Sequence, residues 1–136
     1  MRRVRRSPMG LGATSDGDRG SVSVELVVLM PLLLMIVFAG VQGAVYYYAR
    51  SLAIAVAQEG ARAAALQDGT LATGRTAAAA FLTDTGGDSL TTLTITGTRT
   101  PTTATITVRG SSLSLIPGWA PTVEQSATMP VERITR

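Results

Sequence analysis

The chain contains no cysteine, no histidine and no lysine, and its 12 basic side chains are all Arg. These absences remove whole chemistries. Without a thiol or an imidazole there is no cysteine nucleophile, no Ser-His-Asp triad, no ordinary zinc site and no disulfide. Without lysine there is no Schiff base. A cysteine-free composition suits exported and cytosolic proteins alike, so it leaves the redox compartment open. The 136 residues allow one small domain with little core to spare. No enzyme activity, no cofactor and no metal are expected.

Positive charge is concentrated at one end. Residues 1–20 carry Arg2, Arg3, Arg5, Arg6 and Arg19 against Asp16 and Asp18, whereas the rest of the chain balances seven Arg with seven carboxylates. The net charge of +3 is therefore that of the leader. A nucleic-acid surface needs a basic patch on the folded part, and that part is neutral, so no nucleic-acid binding is expected.

Charge is missing altogether from Leu26 to Ala49, a run of 24 residues rich in Leu, Val, Met and Ile. As a helix rising ~1.5 Å per residue it reaches ~36 Å, enough for a hydrocarbon core of about 30 Å. Tyr46, Tyr47 and Tyr48 close the run, where an aromatic belt meets the headgroups, and Gln42 is its one strongly polar interruption. The pattern predicts a single membrane span. Arginines cluster before it and only Arg50 lies close behind it, so the positive-inside rule keeps the leader in the cytoplasm and places the remainder outside. No apolar run follows the leader's arginine pairs closely, which argues against a twin-arginine signal.

The junction between leader and span reads Asp18-Arg19-Gly20-Ser21-Val22-Ser23-Val24-Glu25-Leu26. An ordinary signal peptide ends its apolar stretch in a small-residue cleavage site. Here the polar leader ends in Arg-Gly, and a carboxylate stands at the mouth of the apolar run, where it needs a compensating positive group. Were the chain cut after Gly20, the new α-ammonium on Ser21 would lie four residues from Glu25, one helical turn away, and could pair with it in the same chain or in a neighbour. Pro31 removes one hydrogen bond from the helix. Its kink is either merely tolerated by the membrane or shapes packing against partner helices.

Gly20 followed by Glu25 and an apolar helix resembles the prepilin-peptidase recognition site of type IV pilin-like proteins. The longer stretch 19–66 resembles the TadE-like family of minor pseudopilins from the tight-adherence (Flp) pilus system. Glu25, Pro31 and Gln58-Glu59-Gly60-Ala61-Arg62-Ala63-Ala64 carry that likeness. The resemblance implies cleavage after Gly20, Ser21 as the mature amino terminus, and Glu25 as the residue that assists recognition or subunit registration. It implies as partners a prepilin peptidase, other pseudopilins, the major Flp pilin and membrane platform proteins. It also implies residence in the cytoplasmic membrane or incorporation into a pilus.

Beyond the span, residues 50–66 are strong helix formers apart from Gly60, and they continue the helix outward. Ala49, Ala53, Ala57, Ala61 and Ala65 recur every fourth residue, while Ala39/Gly43 and Gly40/Ala44 repeat the small-xxx-small spacing inside the apolar run. Small residues let backbones approach closely, so these positions are expected to form a helix-packing face. Glu59 and Arg62 are spaced for a weak surface ion pair.

Residues 67–70 break the helix, and Leu71 to Thr83 predicts a second one with Leu71, Ala78 and Leu82 on one face. A turn at Asp84–Ser89 follows. Its two carboxylates lack the alternating oxygen ligands of a calcium loop and read as solvated. The period then changes to two. Leu93 and Ile95, then Ala104, Ile106 and Val108, predict a hairpin with Gly97–Pro101 between its strands. Val123, Ala127, Met129 and Val131 predict a third strand, which Pro130 marks as an edge. Trp119, between Pro117 and Pro121, either caps this core or serves as an anchor, and capping is the first expectation.

The expected fold is α+β with a single membrane pass. A basic leader (1–20) precedes a transmembrane helix with its extension (21–66) and a small outer domain with a short helix and a three-stranded antiparallel sheet (67–136). The expected function is that of a minor pseudopilin. The alternatives are a secreted binding module cut near Gly43-Ala44 and an uncleaved signal-anchored protein with an outer binding domain.

Overall fold

A computed structural model describes the backbone of residues 17–133 and the side chains of residues 24–133. Most of the leader lies outside the described residues, and of Gly20 and Ser21 only the backbone belongs to them. Helix α1 spans Gly17–Ala65. The chain divides into two compact units, Met1–Ile36 and Val37–Arg136.

In the first unit the described side chains from Val24 to Ile36 are all exposed, Leu26, Leu29, Leu32 and Leu33 among them. Apolar side chains exposed on every side of a helix are the pattern of a membrane span. The helix contains a stretch of mean hydropathy 2.6 and is long and apolar enough to cross a membrane. Pro31 sits inside it without ending it.

The second unit contains the remainder of α1, helix α2 (Leu71–Gly86), a 3₁₀ turn at Gly87–Ser89, and strands β1 (Leu90–Arg99), β2 (Thr103–Ser112) and β3 (Thr122–Pro130). The strands form an antiparallel sheet in the order β1-β2-β3. Thr70 starts α2: its backbone is extended and its hydroxyl accepts the Thr73 N–H at 3.1 Å. The helix runs three residues past the expected Thr83. The hydroxyls of Thr83 and Thr85 donate back to the carbonyls of Ala79 and Phe81, one turn earlier.

The core lies between one face of the sheet and the two helices. Ala49, Leu52, Ala53, Val56, Ala57 and Ala61 of α1 pack with Ala78 and Leu82 of α2 and with Leu90, Ile106, Val108 and Val123 of the sheet. The helices contribute mostly small residues and the sheet the large ones, so the layers approach closely and still fill the space between them. The opposite face of the sheet is a polar ladder, in which Thr105 and Thr128 hydroxyls meet at 2.8 Å and Thr107 donates to Ser126 at 3.3 Å.

Two local features depart from simple alternation. Leu90 is buried while Leu93 and Ile95 point to the same core, a change of parity along β1. An extra residue between Thr91 and Thr94 makes the change, with Thr92 at φ 53°. This is a β-bulge that holds a β-branched residue in the left-handed region. Gly97, expected in the hairpin turn, pairs with Ile106 inside the ladder instead. A Cβ there would stand 2.7 Å from Ile106 Cδ1, so the glycine makes room for that side chain and the turn falls at 100–102. β3 is an edge strand with Pro130 at its end, where the missing N–H costs little.

Candidate functional site

The residues singled out by the sequence fall into three groups along α1. Gly20, Ser21 and Glu25 occupy its first turns, with Ser21 and Glu25 one turn apart and the Glu25 side chain exposed. The side-chain relation between them lies outside the described residues. Pro31, Ala39, Gly40, Gly43 and Ala44 are exposed, and a Cβ on Gly40 or Gly43 would meet nothing within 4 Å. Ala49, Ala53, Ala57, Gly60 and Ala61 are buried under the chain's own α2 and sheet. The small-residue stripe thus has an open part and a part covered within the same chain.

The covered part is tightest at Gly60. A Cβ there would lie 2.9 Å from Ala78 Cβ, 3.0 Å from the Gly74 carbonyl oxygen and 3.2 Å from Ile106 Cγ2. Helix α2 and strand β2 therefore both rest on this point of α1. Glu59 and Arg62 flank it without pairing: among the described residues the one ion pair joins Arg109 and Glu124, at 3.9 Å on the exposed sheet face. Asp84 and Asp88 are both exposed, and no three metal-ligating side chains gather among the described residues.

Arg99, at the end of β1, reaches the end of α1. Its Nε donates to the Ala64 carbonyl at 2.9 Å and its Nη2 to the Leu66 carbonyl at 3.3 Å, while the Glu132 N–H donates to the Ala65 carbonyl at 2.9 Å. The last carbonyls of a helix lack intrahelical partners and carry negative partial charge, which the guanidinium satisfies.

Gln42, the polar interruption of the apolar run, is 4% exposed. Its Nε2 donates to the Leu113 carbonyl at 3.3 Å, and its Oε1 accepts the Leu115 N–H at 2.8 Å. The side chain thereby ties the β2–β3 loop to α1. Beside it lies an open apolar groove of about 580 Å³, lined by Ala39, Gly43 and Tyr46 of α1 and by Ile116, Trp119 and Pro121 of the loop. Trp119 does not cap the core. It is 51% exposed on this groove, against α1 and away from the buried cluster. Neither the Gln42 clamp nor the Arg99 cap shows in the sequence, since each depends on residues far apart in the chain. The loop does carry a signal: no charged residue occurs between Arg109 and Glu124.

Residues 20–62 match the family model described as TadE-like protein. Over this segment the chain is similar to TadE-like proteins. The match begins at Gly20, takes in Glu25, Pro31 and Gln42, and ends at Arg62 just beyond the Gly60 contact, leaving α2 and the sheet outside it. The TadE-like segment thus contains both the apolar helix and the small-residue floor on which the outer elements are built. No curated protein and no solved structure matches the chain.

Proposed function

We propose that this protein is a minor pseudopilin of a tight-adherence (Flp-type) pilus or a related secretion machine, with a structural and assembly role and no catalytic one. The observation that carries the reading is the TadE-like match over residues 20–62, which starts at the Gly of the Arg-Gly junction and covers a helix apolar enough to span a membrane. In this reading a prepilin peptidase cuts after Gly20, on the cytoplasmic side. The mature chain then begins at Ser21, whose α-ammonium neutralises Glu25 one turn further on in the same subunit or in its neighbour. The open small residues Ala39, Gly40, Gly43 and Ala44 supply the close approach that helix assembly in lipid requires. The partners are the peptidase, other pseudopilins, the major pilin and the membrane platform.

The test is the amino-terminal residue of the protein in its native membrane fraction, read by mass spectrometry beside a Gly20→Arg variant and a strain lacking the peptidase. A start at Ser21 that is lost in both controls is expected. A start near Ala44 assigns a secreted module, and an unprocessed chain assigns a signal-anchored one; either result overturns the reading.

A further inference from the structure

From the placement of the β2–β3 loop we infer a second membrane contact: residues 113–121 lie at the bilayer interface, from the outer hydrocarbon to the headgroups, at the Tyr46–Tyr48 end of the apolar helix, and Gln42 holds them there. The inference rests on the reading of α1 as a membrane span. Its partner is a phospholipid surface.

Depth follows from counting along α1. Gln42 precedes Arg50, the first charged residue after the apolar run, by eight positions, which is ~12 Å of helical rise. The headgroup layer on each side of a bilayer is roughly 5–7 Å thick. With Arg50 at the aqueous boundary, Gln42 stands about 5–7 Å inside the edge of the hydrocarbon. The two hydrogen bonds from its amide fix Leu113 and Leu115 at the same level.

The loop is built for that level. It is uncharged, and Leu113, Leu115, Ile116 and Trp119 are each about half exposed although the sheet core lies close by. In water these side chains form an apolar patch without a purpose in the fold. At a membrane surface they continue the apolar face of the helix, and Trp119 joins Tyr46 and Tyr48 in an aromatic belt. The groove between Trp119 and Ala39 is open and apolar, with room for part of an acyl chain.

Backbone polarity is met within the protein for part of the loop. Non-helical backbone at membrane depth is stable only where its polar groups are satisfied by protein. Gln42 satisfies the Leu115 N–H and the Leu113 carbonyl. Ser114 Oγ accepts the Ile116 N–H and donates to the Ile116 carbonyl, both at 3.0 Å. The Trp119 N–H returns to the Ile116 carbonyl at 3.2 Å, and Pro117 and Pro121 have no N–H to satisfy. A buried Gln in an apolar run is thus explained by what it does for the loop.

Trp119 is the single tryptophan in the chain, so emission excited at the red edge, where tyrosine does not absorb, reports this loop alone. The full chain is reconstituted at high lipid excess into phosphatidylcholine–phosphatidylglycerol vesicles, using phosphatidylcholine that is unlabelled, brominated high on the acyl chain or brominated near its end. Blue-shifted emission is expected, with most intensity lost to the shallow bromine, less to the deep one and little to aqueous acrylamide. In Gln42→Leu the shallow preference should be lost, and an unchanged profile overturns the assignment to Gln42. Red-shifted emission lost to acrylamide, in protein that floats with the vesicles and resists carbonate extraction, leaves the span intact and overturns the loop contact. Blue-shifted emission insensitive to bromine that reverts as protein is diluted in lipid assigns the groove to a second copy and overturns it too. Protein that fails to float overturns the membrane span itself, and the loop contact with it.

Discussion

Gly60 and Gly74 face each other where α1 meets α2: a Cβ on Gly74 would stand 2.7 Å from the Gly60 carbonyl oxygen, and one on Gly60 3.0 Å from that of Gly74. Each helix therefore packs against bare backbone of the other. The cost of two glycines inside helices, about 1 kcal/mol each relative to alanine, is offset by the contact they permit. Gly60 stands in the segment shared with TadE-like proteins, whereas Gly74 lies beyond it. The second helix thus packs on a point of α1 inside the matched segment.

Substitution at this contact should be costly. Gly74→Leu is expected to destabilise the outer unit by about 1–3 kcal/mol or more through overpacking, read as a lower thermal midpoint of the detergent-solubilised chain. Gly60→Ala should cost less, because the gain in helix propensity partly offsets the strain against Ala78. Gly40→Ala, where a Cβ meets nothing, should leave the midpoint unchanged or raise it, because the gain in helix propensity meets no strain. Equal midpoints for all three variants would contradict the close crossing.

Gln42→Leu keeps similar bulk but removes both partners of the loop. The Leu115 N–H and the Leu113 carbonyl are then left unsatisfied, at a cost of about 1–3 kcal/mol. Hydrogen exchange should quicken at Leu115 and its neighbours while the amides of β2 stay protected. Unaltered exchange at Leu115 would show that the clamp is not what orders the loop.

Arg99→Ala removes two hydrogen bonds from the carbonyls that end α1. The site is only partly buried, so a loss of about 1 kcal/mol is expected. The effect should be local, with faster exchange in the last turn of α1 and in the segment 66–69. Arg99→Lys should restore only part of the protection, since an ammonium cannot reproduce the planar fork.

Ser112 carries a buried hydroxyl with no hydrogen-bond partner among the described residues, opposite Leu90 in the β1–β2 ladder. Ser112→Ala removes an unsatisfied polar group at almost constant volume. It should raise stability by up to about 1 kcal/mol, measured by chemical denaturation in the same detergent. A drop instead would mean that the hydroxyl has a partner in the working protein.

Much of this architecture was legible in the residues because the periodicities are strong. Leu71, Ala78 and Leu82 do line the inner face of α2, and Ile106 and Val108 do face the core. Less legible were features that answer to a distant neighbour. Gly97 read as a turn residue until its pairing with Ile106 showed a close approach, and the parity change between Leu90 and Leu93 required the bulge at Thr92. The same holds for Trp119, whose flanking prolines were visible but whose groove against α1 was not.

The sequence by itself determined the apolar helix, its charged flanks, the TadE-like segment and the α+β order of elements, because each rests on a local pattern of hydropathy, charge or spacing. Only the tertiary structure decided how the small-residue stripe is divided. Ala49, Ala53, Ala57 and Ala61 are covered by α2 and the sheet, while Ala39, Gly40, Gly43 and Ala44 stay open. The physical reason is that spacing along a helix records which residues share a face, but what covers that face depends on side chains such as Ile106, Ala78 and the Gln42 amide meeting partners brought together by the fold.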